Sequence, residues 1–238
     1  LYEMLLETDS DMAGCGFAVW KNAEEWERLA EEGEMPQMPA DSPSVTIYNN
    51  DRYLKESVLR GNVRCWSKLY RRSLIGKVRF REGLSIGEDM LFLVELLPRI
   101  GRAVETTYPG YGYFQNPDGA MKRMFTPAYM DQIYCWEMAG DLILRKDPTL
   151  VPQVNAQLVV SLLLVVGKIA CLPGGRQKAA APYLRICRDK LRKIENKRAC
   201  RAFLPPGYGI KMRLFGICPG LYVKLYHLQK SGGFSKRS

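Results

Sequence analysis

The chain has 238 residues, 47% apolar and 25% charged, with 21 Gly and 14 Pro, a composition that fits a globular protein and excludes disulfide-stapled miniproteins and disordered or collagen-like chains. Its net charge of +10 is polarised: residues 1–50 hold 2 Lys/Arg against 11 Asp/Glu, residues 51–167 hold 16 against 12, and residues 168–238 hold 17 against 2. One histidine, His227, and seven irregularly spaced cysteines without a C-x-x-C pair argue against a zinc ribbon, a secreted disulfide framework or a histidine-based triad, and for reduced thiols in a cytoplasmic setting.

The chain opens on Leu1 with no signal peptide or basic leader before an amphipathic segment, and is expected to begin inside a longer protein. Residues 1–8 read as the end of a helix and Met12 to Trp20 as one buried strand. Lys21 to Glu34 is acidic with Trp26 and Leu29 at helical spacing, and Pro36, Pro39 and Pro43 mark an exposed excursion. After a short strand at Val45 to Tyr48, Asn50 can cap a helix carrying Tyr53, Leu54, Val58 and Leu59, with Gly61 at its C′ position. A strand is predicted around Val78 and Phe80, an apolar helix from Asp89 to Ile100, a tyrosine-rich strand from Ala103 to Phe114, and a polar turn from Gln115 to Ala120.

From Thr126-Pro127 onward the pattern is helical: Tyr129 to Lys146, Val151 to Leu172, and Arg176 to Lys197 with Tyr183, Leu184, Cys187, Leu191 and Ile194 on one face. The apolar run Leu158 to Val166 falls short of the roughly 20 residues that span a bilayer, so a core helix is expected. Pro205-Pro206-Gly207 breaks the pattern, a last cationic segment runs from Lys211 to Lys230 around Pro219, and the tail from Ser231 is expected to fray.

Four groups carry candidate chemistry. Ser85-Ile-Gly-Glu88 has the spacing of a capping box, with Glu88 reaching back to the cap. Asp89 follows in the first turn, where the helix dipole favours the ionised carboxylate that a general base needs. Trp66, Lys68 and Tyr70 alternate, so an extended backbone projects them to one side as aromatic rings flanking an amine, suited to a sugar; a half-buried strand with a snorkelling lysine is the plain alternative. Asp9-Ser10-Asp11 has the D-x-D spacing of a metal pair, but at a helix-to-strand turn, where a solvated turn is the simpler reading. In the basic last third, Leu214, Phe215, Ile217, Leu221, Tyr222, Val223, Leu225 and Tyr226 add apolar contact surface among the cations, favouring an anionic membrane over nucleic acid as partner.

In order, Trp66-Ser-Lys-Leu-Tyr-Arg-Arg, Phe80-Arg-Glu-Gly-Leu, Gly87-Glu-Asp-Met-Leu-Phe and Tyr111-Gly-Tyr-Phe-Gln-Asn resemble the second half of a bacterial family 2 glycosyltransferase of the capsular or exopolysaccharide type. The resemblance implies an α/β chain: a partial GT-A fold, the acceptor-side half with a mixed sheet, over residues 1–125, then a basic α-helical extension over residues 126–238. It implies inverting transfer of a sugar from a nucleotide-sugar donor to a saccharide or lipid-linked acceptor in cell-surface polysaccharide synthesis, with Asp89 of the Glu88-Asp89 motif as base and Trp66, Lys68 and Tyr70 lining the acceptor side. The family's Pro-x-Tyr-Asn and metal-binding Asp-x-Asp are not in the sequence, so Mg²⁺ or Mn²⁺ is expected for the full-length enzyme and not on this chain, which by itself is expected to be inactive and to bind nucleotide sugar poorly. Gly119-Ala-Met stands where the family usually has a Ser/Thr-bearing turn. The implied location is peripheral, on the cytoplasmic face of the cell membrane; the alternative is a non-catalytic basic module docking on anionic membrane or nucleic acid.

Overall fold

A computed structural model describes residues 1–20, 24, 27, 43–116, 119 and 122–234, which form two units: residues 1–80 with 92–123, and residues 81–91 with 124–234. The chain is α/β, with a mixed sheet and a helical C-terminal region. Most of the expected acidic helix and proline-rich excursion, and most of the turn after Asn116, lie outside the described residues.

In the first unit, α1 (Tyr2–Glu7) leads into β1 (Met12–Gly14), whose Met12 and Ala13 are fully buried. β1 pairs in parallel with β5 (Arg102–Thr106) and antiparallel with β4 (Lys68–Tyr70); β3 (Val45–Asn49) closes the four-stranded order β3-β5-β1-β4. The single strand expected from Met12 to Trp20 is two. After Cys15 and Gly16 the chain passes to a second sheet, where β2 (Phe17–Trp20) pairs with β6 (Tyr111–Phe114), and the expected strand from Ala103 to Phe114 divides in the same way at residues 107–110. The bend requires glycine: a Cβ on Gly16 would lie 2.7 Å from the Thr107 carbonyl oxygen and 3.1 Å from that of Tyr108. Backbone cannot swing aside as a side chain can, so Gly16→Ala is expected to cost about 1–3 kcal/mol, read as a lower urea midpoint at unchanged m.

α2 (Asn50–Glu56) is capped by Asn49, not Asn50: the Asn49 side chain accepts from the Arg52 amide at 2.9 Å, while Asn50 donates to the Leu97 and Ile100 carbonyls. Asn49→Ala should therefore lose about 1 kcal/mol, measurable by thermal unfolding. Tyr53, Leu54, Val58 and Leu59 are all buried, and Gly61 closes the following 3₁₀ turn at φ 97°. No strand forms at Val78 and Phe80; after α3 (Arg72–Ile75) the segment is irregular, with Phe80 stacked on Phe92 at 4.4 Å.

In the second unit, α4 (Glu88–Leu96) supplies its first residues, followed by α5 (Asp131–Lys146) and α6 (Val151–Ala170). The helix predicted from Arg176 to Lys197 is broken into α7 (Gly174–Ala179) and α8 (Ala181–Lys193), then α9 (Lys197–Cys200), α10 (Tyr208–Ile217) and α11 (Pro219–Phe234), which carries helix past Ser231. α6 is the axis of the core: Val159, Leu162, Val165, Val166 and Ile169 are fully buried. Residues Pro148–Ala170 are long and apolar enough to cross a membrane by length and composition, a test that a buried core helix also passes, and the burial of α6 agrees with the expected core helix. Gly167 lets Tyr226 lie against α6, and His227 donates from Nδ1 to the Ala170 carbonyl at 2.9 Å, so this histidine caps a helix end.

Candidate functional site

The first cluster follows from a missing side chain. Gly14 in β1 stands opposite Lys68 on β4 and Glu105 on β5, so the two long side chains reach over it to meet. A Cβ there would lie 3.2 Å from Glu105 Oε1 and 3.5 Å from Lys68 Cγ. Lys68 Nζ lies 3.6 Å from Glu105 Oε1 and donates to Asn62 Oδ1 at 3.0 Å. Asn62 donates to Glu105 Oε1 at 2.7 Å, and the Ser57 hydroxyl donates to Glu105 Oε2 at 2.9 Å. The Lys68 side chain is only 1% exposed, so its amine is not snorkelling; burial pushes its pKa down, with Glu105 pulling against that shift.

The second cluster is aromatic. Trp66 stacks on Tyr111 at 5.0 Å and on Tyr113 at 4.8 Å, residues that alternation along β6 places on one face. Phe17 meets Trp66 edge-on at 5.1 Å, and the Arg64 guanidinium lies over both Phe17 and Trp66. Trp66 is not on β4. Ser67 has φ 58°, which interrupts the extended backbone before Lys68, so the expected alternation of Trp66, Lys68 and Tyr70 holds only for the last two. Tyr70 turns its hydroxyl back to the Cys65 carbonyl at 3.0 Å and ties down the loop that carries Trp66.

Beside both clusters lies an open cavity of about 570 Å³ whose lining includes Cys15, Phe17, Tyr48, Asn62, Arg64 and Glu105. It offers a carboxylate, a guanidinium and an amide between aromatic walls, a donor and acceptor set that matches a polyhydroxylated ring better than a purely apolar ligand. Burial raises the Cys15 thiol, which keeps it protonated at neutral pH.

The third cluster is the start of α4, in the second unit. The helix begins at Glu88, too late for Ser85 to be its cap, and the capping box does not form. Gly87, at φ 90°, takes the cap position, its carbonyl accepting from the Leu91 amide at 3.0 Å. α5 holds this turn: Asp131 Oδ2 accepts from the Ser85 amide at 2.9 Å, and the buried Cys135 packs under Gly87, where a Cβ would lie 3.1 Å from that of Cys135. Cys135 itself is pushed up to about 12 by burial and by the acidic groups Asp131, Glu88 and Asp89.

Asp89 is then the second helical residue, with Oδ1 accepting from the Met90 amide at 2.7 Å. Desolvation outweighs this hydrogen bond and, with the Glu88 charge, pushes the Asp89 carboxyl above the usual range. That reverses the expectation from the helix dipole. It makes Asp89 a stronger proton acceptor than a solvated aspartate.

The structure thus brings Lys68 and Tyr70 together on β4 with Trp66 on the adjoining loop, and sets Glu88 and Asp89 in the other unit. Asp9 pairs with Arg71 at 3.3 Å, and Asp11 Oδ2 accepts from the Gly101 and Arg102 amides. Among the described residues no group of three or more His, Cys, Asp or Glu could hold a metal ion. Sequence reasoning gave no site role to Asn62, Arg64, Glu105, Tyr111 or Tyr113. The alternation of Tyr111 and Tyr113 was a usable signal; Asn62 and Glu105 had none, because only strand register sets Glu105 across Gly14 from Lys68. No protein-family model matches the chain and no curated protein matches it.

Proposed function

We propose that the chain is the acceptor-side part of an inverting family 2 glycosyltransferase with a GT-A fold, working at the cytoplasmic face of the cell membrane in surface polysaccharide synthesis. The observation that carries this reading is Asp89: a carboxylate at the first turn of a helix, held by a clamped glycine turn, with a pKa raised by burial. In the proposed step Asp89 accepts the proton of an acceptor hydroxyl. The freed oxygen attacks the anomeric carbon of the nucleotide sugar, and the bond to the nucleoside diphosphate breaks on the opposite face. Glu88 keeps the local field negative and so favours the proton on Asp89. Trp66 and Tyr70 shape the acceptor side, and Lys68 acts on it through Glu105 and Asn62, which line the cavity. Asp9 contacts Arg71 and Asp11 accepts from backbone amides, and a Mg²⁺ or Mn²⁺ in the full-length enzyme would be held by the nucleotide-binding half.

The test is Asp89→Asn in the enzyme carrying its nucleotide-binding half. Transfer should fall by about 10²–10⁴-fold while nucleotide-sugar affinity is retained, and unchanged turnover would remove Asp89 from the mechanism.

A further inference from the structure

Within the helical unit, α8, α9 with the 3₁₀ turn Arg201–Phe203 that follows it, and α10 border a cleft of about 270 Å³ lined by Arg192, Lys197, Arg201 and Arg213 and, among the described residues, by no acidic one. Its floor is apolar, formed by the buried Leu191 and Met212. Lys197 Nζ is held at the end of α8 by the Arg192 carbonyl at 2.9 Å and the Ile194 carbonyl at 2.7 Å, which fixes one cation in place. Arg201 Nε is shielded from solvent with no hydrogen-bond partner. A buried guanidinium N–H without an acceptor is costly, and four like charges round one cleft repel each other; a bound anion relieves both.

We infer that this cleft binds the phosphate headgroup of an anionic phospholipid. The ligand must be anionic to match four cations and partly apolar to match Leu191 and Met212. Ile217, also in the lining, is 79% exposed, an uncovered aliphatic beside the charges. The following helix continues that character, with Leu221, Leu225 and Leu228 exposed at i, i+4 and i+7. Nucleic acid fits less well because no aromatic side chain lines the cleft to stack on a base. The inference does not rest on glycosyl transfer: it concerns residues of the helical unit alone and stands whether or not Asp89 is a base.

The test is co-sedimentation of the chain with vesicles of phosphatidylcholine, with and without phosphatidylglycerol, at low and high salt. Binding should require phosphatidylglycerol and weaken with salt. The variant Arg192→Gln/Arg213→Gln, at two exposed positions that leave the core intact, should weaken it by about 10-fold or more. Lys178→Gln/Arg185→Gln removes the same charge from exposed positions outside the cleft and should change binding by less than about 3-fold. Arg201→Lys, which keeps the charge but lacks the Nε donor, should also weaken binding. Equal losses in the two double variants would reduce the effect to general charge and overturn the site. Submillimolar binding of inorganic phosphate by calorimetry without vesicle preference would assign it to a soluble anion, and loss of duplex DNA binding in Arg192→Gln/Arg213→Gln with vesicle binding intact would assign it to nucleic acid; either overturns the lipid assignment.

Discussion

Lys68→Met should destabilise the first unit by about 3 kcal/mol, the lower end of what removing one partner of a buried ion pair costs. The lower end applies because Glu105 is 15% exposed and keeps its bonds from Ser57 and Asn62. What is lost is the cation balancing a mostly desolvated carboxylate and the donor to Asn62 Oδ1. Lys68→Met/Glu105→Gln should recover most of the loss, since removing both charges also removes the uncompensated one. A double-mutant cycle by urea unfolding then gives the coupling, and a value near zero would mean the two side chains do not sense each other. The pH dependence has a fixed sign. The folded pKa of Lys68 is lowered by burial, so between that value and about 10.4 the unfolded chain binds more protons. The stability from this group rises with pH through that window and is lost as pH falls through the folded pKa, so the gap between parent and Lys68→Met should widen on the alkaline side.

Much of the helical region was legible because its signals are local. Pro148, Pro205 and Pro219 punctuate helices whose apolar faces recur at helical spacing, and α5 and α6 fall close to where periodicity puts them. The sheet was less legible. Nothing in Cys15-Gly16 announces that one apparent strand serves two sheets; the reason is the approach of the Thr107 and Tyr108 carbonyls, which a linear reading does not contain. The sequence pattern offers the apolar residues of the last segment as contact surface among the cations, yet Phe215, Tyr222 and Val223 are buried in the core, and Ile217, Leu221 and Leu225 are exposed. A helix buried on one side and cationic on the other has the same composition as one lying on a membrane, and only packing separates them. The Lys68–Glu105 pair was invisible because it depends on the register of three strands and on the absence of a side chain at Gly14.

Asp89→Asn should make the protein less active and, at pH 7, more stable. On the proposed mechanism the activity side follows from chemistry: an amide cannot accept the acceptor's proton, and loss of a general base costs about 10²–10⁴-fold. The stability side follows from burial. Because the folded pKa of Asp89 lies above that of a free aspartate, the folded state binds more protons between about 3.9 and the raised value, and stability falls as pH rises through that interval. The contribution is fully present below the free value and lost above the folded one. Asparagine keeps an oxygen to accept from the Met90 amide and carries no charge to desolvate. Its melting temperature should therefore exceed the parent's at pH 7, by about 2–4 °C for each kcal/mol of relieved desolvation, and the two should converge as the pH approaches 4. In the active enzyme the acid limb of kcat/KM should lie above the usual carboxylate range and vanish in the variant. An aspartate with only a structural role would leave that limb in place, and one stabilised by the helix dipole would make Asp89→Asn less stable at neutral pH. The desolvation that costs stability when Asp89 is ionised is thus the same property that suits the carboxylate to take a proton, and one substitution separates the two effects.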